Sequence, residues 1–210
     1  YTNADSNRDL FTASFTPAGV YRWSKQIPGN NNSSLFRAIA VDETNNLYVG
    51  GALSGTLTID GTPYTSAGSG DIILVKASPT DGSAIWVRKG GSTLDDQLNS
   101  IAVYDNFAYL IGYIQGTGTI DSTSTQQSSQ FTTAGGNDIF LAKYNLDGRL
   151  IWKKTIGSIG GDVGYGINVY NNILVATGYF SNSIDFNLNT ITSGGNNDAA
   201  FFVFDVESNA

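Results

Sequence analysis

The sequence predicts an all-β chain of repeated four-stranded antiparallel sheets, and three observations carry that expectation. The three tryptophans of the 210 residues each stand four residues after a glycine: Gly19 to Trp23, Gly82 to Trp86 and Gly148 to Trp152. Those glycines are 63 and 66 residues apart, so the chain repeats with a period a little over sixty. Within each period short apolar runs alternate with polar turns, and apolar residues nowhere recur at helical spacing.

Each period opens on an aspartate, at Asp9, Asp71, Asp138 and Asp198. This divides the chain into repeats over 9–70, 71–137 and 138–197, with a partial fourth over 198–210. A short apolar strand follows each aspartate, and then a tight turn: Thr16-Pro17-Ala18-Gly19, Pro79-Thr80-Asp81-Gly82 and Asn145-Leu146-Asp147-Gly148. Pro, Asp or Asn early in the turn and glycine at its end suit a type I turn closed by a left-handed residue, so each phrase reads as a hairpin whose second strand carries the tryptophan. A second hairpin follows in every period. It begins at Ala38-Ile39-Ala40-Val41, Ser100-Ile101-Ala102-Val103 and Gly166-Ile167-Asn168-Val169, and returns over 47–53, 108–114 and 173–180. Gly51, Gly112 and Gly178 sit late in the return strands, where a close backbone approach or a bend is expected. The period closes on Ile59-Asp60, Ile120-Asp121 and Ile184-Asp185, and a Ser/Thr/Gly-rich loop leads to the next aspartate.

Sheets apolar on both faces must stack on their neighbours, and radially arranged four-stranded blades, a β-propeller, satisfy that demand better than the shorter parallel rungs of a β-helix. The strands number roughly thirteen, short of the sixteen or so that four closed blades require. The expectation is therefore a segment of a larger ring, or one completed by another chain through unpaired edges, with a filament or lattice as the self-assembled form.

The phrases Asp138-Ile-Phe-Leu-Ala-Lys-Tyr-Asn-Leu-Asp-Gly-Arg-Leu-Ile-Trp152, Gly161-Asp-Val-Gly-Tyr-Gly-Ile-Asn-Val169 and Ala176-Thr-Gly-Tyr-Phe180 resemble the bacterial seven-bladed β-propeller (SBBP) repeat family. The resemblance runs over 9–210 and is clearest in the third period. The first departs most, with Pro17-Ala18-Gly19 in place of an aspartate-glycine turn. What the resemblance implies is the propeller fold and an extracellular or cell-surface setting, with no shared catalytic residues to carry over.

Composition narrows the chemistry. With no cysteine and no histidine, the chain lacks a disulfide framework, a thiol nucleophile, the usual general base near neutral pH and the commonest metal ligand. A formal charge of −7 repels phosphate backbones, so nucleic acid is not an expected partner. Only 14% of residues are charged, which leaves Asn, Ser, Thr and Gly to cover the surface, a composition that points to secretion. No apolar run is long enough to span a membrane as a helix. The polar opening over 1–8 and the absence of methionine lead to the expectation that a signal segment has been removed or that the chain is an excerpt. Sequons at Asn31 and Asn32 read as an exposed polar loop.

Candidate sites are few, and each has a structural reading beside the functional one. Trp23, Trp86 and Trp152 offer faces for sugar stacking, but an aromatic repeated once per blade is expected to pack between blades. A ring of Asp9, Asp71, Asp138 and Asp198 around a channel would suit Ca²⁺, which takes about six to eight oxygens. The preferred reading has each aspartate capping a loop through backbone N–H groups. Asp42-Glu43-Thr44-Asn45-Asn46 lacks the glycine of a calcium loop. Asp95-Asp96 and Asp162, in equivalent loops, are the nearest to paired carboxylates and read as solvated charge. Lys25, Lys76 and Lys143 read as outward-facing stems lying along a blade. The function expected from all this is a non-catalytic scaffold for protein contacts or self-association, with no cofactor required. The alternative is a carbohydrate-binding propeller assisted by Ca²⁺.

Overall fold

The computed structural model describes residues 9–28, 34–120, 130–186 and 189–206, and every regular element among them is a β-strand. The sequons at Asn31 and Asn32, Asp121, and the chain past Val206 lie outside the described residues. The first hairpin joins β1 (Leu10–Phe15) to β2 (Tyr21–Ile27). A four-stranded antiparallel blade follows, ordered β3 (Leu35–Val41), β4 (Leu47–Leu53), β7 (Asp71–Ala77) and β8 (Ala84–Gly91), with the hairpin of β5 (Thr56–Ile59) and β6 (Thr62–Thr65) inserted at its middle. The second blade is β9 (Gln97–Tyr104), β10 (Phe107–Ile120), β11 (Gln130–Asn145) and β12 (Leu150–Ile156). A third unit has β13 (Val163–Tyr170), β14 (Ile173–Phe180) and β17 (Asp198–Asp205), again with an inserted hairpin, β15 (Ser183–Phe186) and β16 (Asn189–Thr192).

The chain is thus built of β-propeller blades, and the blade boundary falls in the middle of the sequence period. Each period supplies the last two strands of one blade and the first two of the next. The two complete blades also touch edge to edge, because the far end of β10 pairs Thr119 and Ile120 with Gly91 and Gly90 of β8.

Turn chemistry explains the registers. Gly19, Gly82 and Gly148 have φ of +78°, +71° and +78°, the left-handed geometry expected of them. In the third turn Asn145 Oδ1 accepts from the N–H groups of Asp147 and Arg149 at 3.1 and 2.8 Å. The residue pairs Asp105-Asn106 and Asn171-Asn172, all with φ between 46° and 64°, close the other hairpins as two-residue turns of matching twist. The phrase at Ile59-Asp60 differs from its reading as the start of a loop: Asp60 and Gly61, at φ +49° and +82°, form a hairpin tip between β5 and β6. The alternation Thr56-Leu57-Thr58-Ile59 is a strand pattern, and it buries Leu57 and Ile59.

Strand alternation distributes the core. Along β7, Ile73 and Val75 pack toward the first hairpin, while Ile72 and Leu74 pack toward the second blade. Along β11, Phe140 and Ala142 face back to the first blade, whereas Ile139 and Leu141 face the third unit. One strand therefore builds two interfaces, which is why these strands read as continuous apolar runs.

Polar locks fasten each interface. The Nε1 of Trp23 donates to the Pro79 carbonyl at 2.9 Å, and that of Trp86 to the Leu146 carbonyl at 2.9 Å. Both acceptors stand in the turn at the tip of the following blade. Lys76 Nζ donates to the same Leu146 carbonyl at 3.1 Å, and Lys143 Nζ to the equivalent Val206 carbonyl at 3.3 Å. Lys76 and Lys143 are 7% and 8% exposed, so their expected outward placement is corrected: they are buried inter-blade ties. A ring lies beside each ammonium, Tyr48 at 5.4 Å for Lys76 and Phe107 at 3.9 Å for Lys143. Asp42, 3.5 Å from Lys76, completes the first lock. Its burial opposes ionisation, but hydrogen bonds from Asn46 and Thr44 and the lysine charge hold its carboxyl below the usual range. Lys25, half-buried, pairs with Asp60 at the inserted hairpin's tip.

These contacts make the tryptophans packing residues first. Replacing Trp86 by Ala is expected to lower the unfolding free energy by roughly 3–5 kcal/mol. Trp86→Phe, which keeps most of the ring and loses the bond to Leu146, should cost about 1–3 kcal/mol. Urea denaturation followed by far-UV circular dichroism reads both; an unchanged midpoint for the alanine variant would contradict the assignment.

Candidate functional site

The inner strand of each unit carries one extra residue opposite its partner, a β-bulge: Arg37 in β3, Asn99 in β9 and Tyr165 in β13. Bulges re-aim side chains and interrupt pairing. Across from them stand Gly51, Gly112 and Gly178, where a Cβ would collide with the carbonyls of Leu35, Gln97 and Val163. The late glycine of the return strand is thus required by close backbone approach, one of the two readings the sequence allowed.

The three bulges occupy equivalent places with three different side chains, and their surroundings link into one rim. Gln97 Nε2 donates to Asn99 Oδ1 at 2.5 Å, and Asn99 Nδ2 donates to the Gly164 carbonyl at 2.8 Å, beside Tyr165. Tyr165 is 56% exposed and its ring lies 5.8 Å from that of Tyr179, tilted by 51°. Tyr113, equivalent to Tyr179 one blade earlier, donates to Asp95 at 2.5 Å. Burial and then Asp95 push the Tyr113 phenol well up, and the nearby Arg37 charge partly offsets them. The result is a mixed surface of tyrosine faces, amides, one exposed guanidinium and one exposed carboxylate. Such a surface offers hydrogen bonds and aromatic stacking, with no strong charge of one sign.

The candidates named from sequence lie elsewhere. Asp71 and Asp198 open the third strand of their units and Asp138 stands midway along the longer β11, and their carboxylates accept from backbone N–H groups four residues earlier, at Ala67, Ala134 and Gly194. Asp9 instead accepts from the side chain of Gln26. Among the described residues no three acidic side chains converge as a metal centre would need. Trp23, Trp86 and Trp152 sit between units, away from the rim.

Asp96 and Asp162 overturn their reading as solvated charge, since both are fully buried. Asp96 accepts from the N–H groups of Ser92 and Gln115 at 2.6 and 2.8 Å, and Asp162 from those of Ser158 and Ser181 at 2.7 and 2.8 Å. They organise the loops leading to the inner strands. Only Asp95 of the three is exposed. Each buried aspartate stands beside a strand-entry aspartate: Gly91 lies between Asp71 and Asp96, and the charge of Asp162 acts on Asp138.

No family model matches the chain. It is similar to an uncharacterised WD repeat-containing protein of Acanthamoeba polyphaga mimivirus, 27% identical over 177 residues, a stretch that covers 70% of this chain. The same stretch is 13% of that relative, so the chain spans only a small part of its length. Among solved structures it is similar to BamB from Moraxella catarrhalis, at 12% identity and a TM-score of 0.22, over 79% of this chain and 75% of that one. No helix among the described residues is long and apolar enough to cross a membrane.

Burial pushes the Asp138 carboxyl up to about 6, against one hydrogen bond from Ala134 and with the charge of Asp162 adding to the rise. Burial also raises Asp96. A carboxyl whose folded-state value exceeds the unfolded 3.8 contributes stability that is complete below about pH 4 and is lost as pH rises through about 6. Asp42 and Asp60 are shifted the other way, so their contribution is constant above about pH 5. The urea midpoint should therefore fall between pH 5 and pH 7.5, by an amount corresponding to about 1–1.5 kcal/mol. Asp138→Asn should flatten most of that slope.

Proposed function

We propose that the chain is a non-catalytic β-propeller scaffold, of the SBBP repeat type and displayed outside the cell, that binds its partner through the rim of Arg37, Asn99 and Tyr165. The supporting observation is the contrast between two sets of equivalent positions. The packing positions repeat from blade to blade: Leu74 and Leu141 are buried alike, and Tyr48 and Tyr109 both flank a lysine. The bulge positions do not repeat at all. A framework that only had to stack would carry the same neutral residue at each bulge, whereas three chemically distinct groups on one rim, Arg37 and Tyr165 exposed and Asn99 partly buried between them, suit recognition of a polar ligand. Extracellular display rests on the low charge density and on the Asn/Ser/Thr/Gly-rich surface. The WD-repeat relative is consistent with a protein-binding scaffold.

The third unit supports a further statement about architecture. Phe201 and Val203 are 71% and 56% exposed, although the equivalent side chains of the earlier blades, Leu141 and Lys143, are covered by the unit that follows. This face suits another blade of the same ring. Self-assembly into a filament would use the same face and carries no separate support.

The tilted pair Tyr165 and Tyr179, beside Asn99, favours a carbohydrate as the second reading of the ligand. A glycan array probed with the purified chain separates the two. A carbohydrate binder should give signals that fall at least tenfold in Tyr165→Ala with no change in melting temperature. A scaffold for protein contacts should be silent on the array, and Arg37→Ala with Tyr165→Ala should then abolish capture of its protein partner at unchanged stability.

A further inference from the structure

The first hairpin turns a seam-type face to solvent. In the later repeats the residues two, four and six places after the strand aspartate pack toward the preceding unit, as Phe140, Ala142 and Tyr144 do in β11. The same places after Asp9 hold Phe11, Ala13 and Phe15 of β1. The pattern of aromatic, alanine and aromatic is that of β11, where all three side chains are buried against the first blade. In β1 all three are exposed, Phe11 by 70% and Phe15 by 55%. The Phe15 ring stands edge-on to that of Tyr21, with 6.1 Å between centroids, so the stripe continues into β2.

At the other end of the chain, β17 turns Ala199, Phe201 and Val203 outward. Phe201 and Val203 stand where β11 has Leu141 and Lys143, which the third unit covers. A valine in place of the lysine needs no carbonyl across the seam. Neither stripe carries a charge, so both can leave water without stranding an ion. Contiguous apolar stripes left in water mark places where another surface docks. The chain thus exposes the two halves of a joint that it makes internally, one half at each end.

We propose that the stripe of Ala199, Phe201 and Val203 receives the stripe of Phe11, Ala13 and Phe15 from a second copy of the chain, head to tail. The pairing rests on the reading of the third unit's face as one that accepts another blade, and the occupant is the first hairpin of the second copy. Successive seams of a propeller turn the chain about one axis, and a contact made by the same operation closes a ring when the rotation completes. Each copy brings four stacked units, the first hairpin, two blades and the third unit. Two copies double that, which stays within the roughly four to eight blades of a propeller. The assembly is a closed pair.

Sedimentation velocity of the 210-residue chain through the micromolar range should show a monomer passing to a species of twice its mass, with nothing larger. Phe11→Asp and Phe201→Asp each place a charge at an exposed position, and each variant should stay monomeric with the wild-type circular dichroism spectrum. Mixed in equal amounts the two should associate again, because one keeps its tail stripe and the other its head stripe. Tyr165→Ala lies off both stripes and should pair like the wild type, so a failure of pairing and a failure of the rim are told apart. A wild type monomeric throughout would overturn the proposal. So would pairing that survives Phe11→Asp, the mark of a tail-to-tail contact, or polymers that grow past two chains.

Discussion

One contact recurs at every seam: an N–H donor of one unit reaches a backbone carbonyl just past the third strand of the next. Pro79, Leu146 and Val206 supply the carbonyls, and Trp23, Trp86, Lys76 and Lys143 supply the donors. Hydrophobic burial alone is non-directional and would let two flat sheets slide. Buried donors aimed at acceptors in fixed places do not permit this, since a slip of one residue would pull an ammonium or indole N–H off its carbonyl in an apolar seam. The lock therefore sets the angle and height at which blades meet. Gly82 belongs to the same device, because a Cβ at this point would press into the ring of Trp23.

Fixing the seams makes the rim possible. Inner strands held side by side bring Asn99 to the Gly164 carbonyl of the next unit, so the bulge of one blade is positioned by the backbone of another. Loops are likewise held from within by buried Asp96 and Asp162, each bonded to N–H groups on two segments. The exposed groups then sit on rigid supports, where little conformational entropy is lost on meeting a ligand.

Much of this architecture was legible in the sequence because it is periodic. Recurrence of Gly-x₃-Trp located the hairpins, and the Asp, Asn and Gly of the turns announced their left-handed residues. The buried lysines were not legible. Lys76 and Lys143 alternate in β7 and β11 like any solvent-facing residue of a strand, and the carbonyls that receive them belong to residues 70 and 63 positions further along the chain. Their one local signal is the tryptophan directly across the strand pair, Trp86 opposite Lys76 and Trp152 opposite Lys143. The rim was hidden for the opposite reason. A bulge adds one residue without altering composition, so Arg37, Asn99 and Tyr165 look unrelated until the register aligns them.

The third unit shows what happens where the lock is not repeated. Val203 takes the place of the lysine and Val175 that of the tyrosine, and both are substantially exposed. Without an ammonium to seat, this seam would be joined by apolar contact alone, and its geometry would be set less tightly than that of the seams before it. The backward face of the same strands keeps the usual pattern, with Phe202 and Phe204 packed toward the second blade. Apolar alternation is thus enough to bury one face of a blade. The polar donors are what give successive blades a defined orientation, and their loss in β17 turns the forward face from a keyed joint into a plain hydrophobic one.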